Sequence, residues 1–88
     1  MSQETLRKQL ELLKAEIEAL EAKHVEARER LDNLVSAIEH QLENTEDKVH
    51  RKTLRGDILE FIDEFETQHP NLIGVLDKIS LTLSNMGI

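Results

Sequence analysis

Residues 6–38 read LRKQLELLKAEIEALEAKHVEARERLDNLVSAI. Leu6, Leu10, Leu13, Ile17 and Leu20, then Leu31, Leu34 and Ile38, fall on alternating steps of four and three. His24 and Ala27 occupy the two steps between Leu20 and Leu31, so the phase is unbroken. A mean step of about 3.5 residues is the period of helices that pack knobs into holes. No Gly or Pro interrupts the chain before Gly56. The stretch therefore sets the fold class: all-α, with coiled-coil-like helix packing. It points to partner helices and says nothing of a reaction.

Two structures satisfy this seam. Glu21-Ala22-Lys23-His24-Val25-Glu26 contains no Gly, Pro, Asn, Asp, Ser or Thr. By propensity alone it continues the helix, giving one rod over about residues 3–43. The alternative is a hairpin turning near Ala22, which sets Leu6 by Ile38, Leu10 by Leu34, Leu13 by Leu31 and Ile17 by Ala27. An antiparallel dimer of continuous helices makes the same pairs between chains, so the two forms are related by exchange of one element. Propensity gives the continuous helix a slight edge.

Asn44-Thr45-Glu46-Asp47 is the clearest interruption, with Asn44 or Thr45 able to cap a new helix. Beyond it, Leu54, Ile58, Phe61, Ile62 and Phe65 form a wide apolar face. Gly56 inside this helix is expected to mark a close helix approach. His69-Pro70 ends one helix and opens the next, since Pro fits the first helical position. Leu72, Leu76, Ile79, Leu83 and Met86 repeat the four–three spacing. The short connection predicts an antiparallel hairpin over about 48–86. The whole chain, 1–88, reads as one helical domain: a coiled-coil seam over 3–43 and a helical hairpin over 48–88.

Size and charge narrow the function. Eighty-eight residues bury a modest core, and such domains rely on regular helix packing or oligomerisation. Eleven basic residues stand against 18 acidic ones, for a formal charge of −7. The resulting field disfavours nucleic acid and anionic membranes, and without Trp or Tyr there is no base-stacking platform. With no Cys, disulfides and thiolate chemistry are excluded. No secretory leader or membrane span is visible, so the default compartment is the cytoplasm.

The remaining chemistry is sparse. His24 lies on the seam and reads as a core or interface residue. His40 and His50 lie on polar stretches. Asp57, Glu60, Asp63, Glu64 and Glu66 are an acidic run that reads as a solvated face, without calcium-loop spacing. Lys48, Arg51, Lys52 and Arg55 form one basic patch. Glu66, His69 and Pro70 form a turn motif in which Glu66 is placed to reach the His69 ring or the free amides of the next helix. No phosphate loop or nucleophile arrangement appears, so neither cofactor nor metal is expected.

Phe65-Glu66-Thr67-Gln68-His69-Pro70-Asn71-Leu72, followed by Ile79 and the ending Leu83-Ser84-Asn85-Met86-Gly87-Ile88, resembles the signature of a family of short bacterial proteins known only as a domain of unknown function. The Leu6–Ile17 and Arg28–Ile38 stretches are also similar. Ala22-Lys23-His24 depart from it, since members commonly carry turn-forming residues there. The resemblance implies a small, soluble, bacterial helical protein and carries over no activity.

The function expected from the chain is a non-enzymatic protein–protein interaction module. It would self-associate as a homodimer through Leu6, Leu10, Leu13, Ile17, Leu20, Leu31, Leu34 and Ile38, with a further protein partner of unknown identity. The alternative is an acidic regulator or inhibitor that binds a basic partner, or occupies a nucleic-acid site, by charge mimicry.

Overall fold

The computed structural model describes residues 2–20, 23–65 and 68–86. Among them are helices α1 (Ser2–Glu18), α2 (Val25–Glu43), α3 (Lys48–Phe65) and α4 (Pro70–Met86), and no strand. Each helix packs on its neighbours in sequence, and α4 closes on α1. The four form a ring in which the diagonal pairs, α1 with α3 and α2 with α4, do not approach. The bundle measures 37 × 21 × 18 Å.

One shared core fills the ring. Leu6, Leu10, Leu13 and Ile17 come from α1, and Ala27, Leu31, Leu34 and Ile38 from α2. Leu54, Ile58 and Phe61 come from α3, and Leu72, Leu76, Ile79 and Leu83 from α4. All are buried, and the four–three spacing of each helix explains why: one narrow stripe per helix faces the common axis. The C-terminal hairpin is present as its spacing predicts.

The N-terminal seam is a hairpin, and the continuous helix that propensity favours is not formed. Helix α1 tightens at its end, where Leu20 N–H donates to the Ile17 carbonyl at 3.1 Å. Arg28 Nη2 reaches back to the same carbonyl at 3.4 Å, placing a cation at the negative end of the α1 dipole. His24 then precedes α2 with non-helical backbone angles, φ −87° and ψ 53°. No local breaker forces this turn. Folding α1 back covers its apolar stripe against both α2 and α4, and burial at about 25 cal/mol per Å² outweighs a few residues of helix propensity.

The second connection differs from expectation in detail. Asn44 closes α2: its Nδ2 donates to the His40 carbonyl at 3.0 Å. Asp47 caps α3, its Oδ1 accepting the His50 N–H at 3.0 Å. Capping thus falls to Asp47 in place of Asn44 or Thr45. Gly56 marks no close approach either. It is exposed on α3, and a Cβ there would meet nothing within 4 Å. Gly56→Ala is expected to stabilise the bundle by about 0.5–1 kcal/mol, the ordinary gain at an unstrained helix interior. Chemical denaturation, read as a higher midpoint at unchanged slope, checks this.

Candidate functional site

The seam assigned to self-association lies inside one chain. Leu6, Leu10, Leu13, Ile17, Leu31, Leu34 and Ile38 are buried, and Leu20 is half-buried at the end of the first hairpin. Of the turn motif, Glu66 lies outside the described residues. Pro70 opens α4, and the His69 carbonyl accepts the Ile73 N–H at 2.9 Å.

The four histidines form two pairs, one at each end of the bundle. His24 before α2 meets His69 before α4, with ring centroids 4.7 Å apart and edges crossed at 89°. His40 near the end of α2 meets His50 near the start of α3 at 4.4 Å. Neither pair gathers a third metal ligand among the described residues. His69 Nε2 is buried there without a hydrogen-bond partner among the described residues. Removing an unsatisfied buried nitrogen should cost little. His69→Phe is accordingly expected to keep the melting temperature or raise it slightly, and a clear fall would mean that Nε2 has a partner in solution.

Two polar residues occupy core steps at the His40–His50 end. Gln41 continues the Leu34–Ile38 spacing and is 0% exposed. Its Oε1 pairs with His50 Nδ1 at 2.7 Å, and its Nε2 faces the Asn44 and Asp47 carbonyls at 3.3 and 3.5 Å. This buried amide ties α2 to the loop and to α3. His50→Ala should strand Gln41 Oε1 and cost about 1–3 kcal/mol, the penalty for an unpaired buried acceptor. Thermal denaturation reads it directly.

Arg51 likewise continues the Leu54–Ile58–Phe61 spacing of α3, and it is only 9% exposed. Its Nη1 donates to the Thr45 carbonyl at 3.0 Å. Beside it, α3 and the end of α4 enclose an open groove of about 590 Å³. Lys48, Arg51, Lys52 and Arg55 supply its charge; Leu59 and Leu83 supply an apolar lining. The basic patch read from the sequence is therefore one wall of a groove that also has an apolar part.

The acidic run is largely a solvated face. Asp57, Glu60, Asp63 and Glu64 are exposed, and Glu64 pairs with Arg30, whose guanidinium lies over the stacked rings of Phe61 and Phe65. Among the described residues, no helix is long and apolar enough to cross a membrane.

No curated protein and no solved structure matches the chain. A family model described as a domain of unknown function, DUF4404, matches residues 6–88. With that match spanning all four helices but the first residues of α1, the chain belongs to the DUF4404 family.

Proposed function

We propose that this chain is a non-catalytic helical interaction module that self-associates by exchanging α1 between two copies. The observation that supports it is the unbroken four–three phase running through the turn itself. Residues 19–24, Ala-Leu-Glu-Ala-Lys-His, favour helix, and no Gly or Pro demands a bend. Straightening them joins α1 to α2 as one rod and keeps every seam residue in phase. Helix α1 of one copy then fills the place of its equivalent in the other, against α2 and α4 there. The buried contacts are reproduced between chains, and helical hydrogen bonds replace the turn.

Sedimentation equilibrium from low to high micromolar concentration tests the proposal. The expected result is a slow, concentration-dependent equilibrium between a 10.1 kDa monomer and its dimer. A monomer alone at high micromolar concentration would count against self-association. Exchange requires α1 to leave its own bundle, so interconversion should be slow compared with surface docking.

A further inference from the structure

We propose that the α3–α4 groove is a docking site for a short acidic, apolar-faced helical segment of another protein. The inference goes beyond self-association and is independent of it, because the groove is lined by α3 and α4 alone and no α1 residue takes part in it.

Charge complementarity carries the argument. Four of the eleven cations line this one groove, leaving seven against 18 acidic residues on the rest of the chain. Among the described residues, none of Lys48, Arg51, Lys52 and Arg55 pairs with a carboxylate. Arg51 sharpens the point. As a residue it is only 9% exposed, and its guanidinium has one carbonyl partner and no carboxylate among the described residues, an arrangement that an incoming carboxylate would relieve.

Shape and polarity select the kind of anion. Leu59, 43% exposed, gives the groove an apolar end one helical turn beyond Arg55, and the buried Leu83 of α4 lies against it. Gly56 leaves room beside them. From Lys48 to Leu59 the groove follows α3 for about 16 Å at 1.5 Å per residue, roughly three helical turns. A helix with Glu or Asp on one edge and Leu on the next matches both features. A long polyanion matches less well, because the acidic remainder of the surface would repel every part of it outside the groove. The chain's own apolar stripes are buried, so the occupant is a different protein.

A fluorescein-labelled helical peptide of about 12 residues, with Glu on one face and Leu on the other, is the probe. Anisotropy titration against the full chain should give saturable binding that weakens with salt. Lys52→Glu combined with Arg55→Glu should weaken it roughly tenfold or more. Gly56→Leu should do the same by filling the groove while the helix is kept or strengthened, and Lys8→Glu on α1 should have no effect. Equal binding of a Lys/Leu peptide, or indifference to the groove variants, would overturn the proposal. So would tighter binding to a single-stranded DNA 20-mer or to phosphatidylserine vesicles.

Discussion

Leu13→Glu is expected to abolish the cooperative melt of the bundle. Leu13 is 0% exposed and sits midway along α1, where the stripe meets both α2 and α4. Truncating such a residue to Ala costs about 2–5 kcal/mol, and a carboxylate adds the penalty of an unpaired buried charge. A domain of this length has only about 4–13 kcal/mol of stability in total. The variant should show reduced helicity at room temperature and a broad transition without a clear midpoint, read by circular dichroism. Glu at the neighbouring exposed position, Leu12→Glu, keeps helix propensity and should leave the melt intact. A sharp melt for Leu13→Glu would mean that the α1 stripe is not buried in solution.

Val25→Pro is expected to separate the two forms of the seam. Val25 is the first residue of α2 and 58% exposed. The first hydrogen bond of the helix runs from Arg28 N–H to the His24 carbonyl, so the Val25 amide is not part of the ladder. Proline is well suited to that position in the closed bundle. In a continuous rod the same residue is interior, where Pro costs about 3 kcal/mol or more. Both chains of an exchanged dimer carry that cost. The variant should keep the wild-type melting temperature as a monomer and lose the dimer by roughly ten-thousandfold in dissociation constant, on the order of two such penalties at about 1.4 kcal/mol per tenfold. A dimer of unchanged strength would show that association does not straighten the turn.

The helices and their buried stripes were legible because the four–three spacing is a geometric property of the chain. Leu6 to Ile17, Leu31 to Ile38 and Leu72 to Leu83 each face the core, and the family resemblance is met by the family match over 6–88. The turn after α1 was not legible. Its residues favour helix, and what bends the chain is tertiary: cover for the α1 stripe from α4, and Arg28 on the Ile17 carbonyl.

The polar residues of the core were missed for a different reason. Gln41 and Arg51 both lie on the four–three steps, yet a pattern read only through apolar residues stops at Ile38 and begins again at Leu54. Extending the spacing across polar positions would have found them. The histidine pairs carry no such signal. His24 and His69 are brought together only because two connections lie at the same end of the ring. The groove was half visible: the cations follow from helical spacing, but Leu83 reaches them only through the antiparallel return of α4.

The distance between spin labels at Lys8 and Glu39 in one chain, diluted with unlabelled protein, tests the account most directly. Pulsed dipolar spectroscopy would be recorded separately on the monomer and dimer fractions. The monomer should give an intrachain distance below about 20 Å, the separation of labels on adjacent packed helices. The dimer should give about 45 Å, the length of a continuous helix between those positions at 1.5 Å per residue. A long distance in the monomer would contradict the closed hairpin, and a short one in the dimer would contradict exchange.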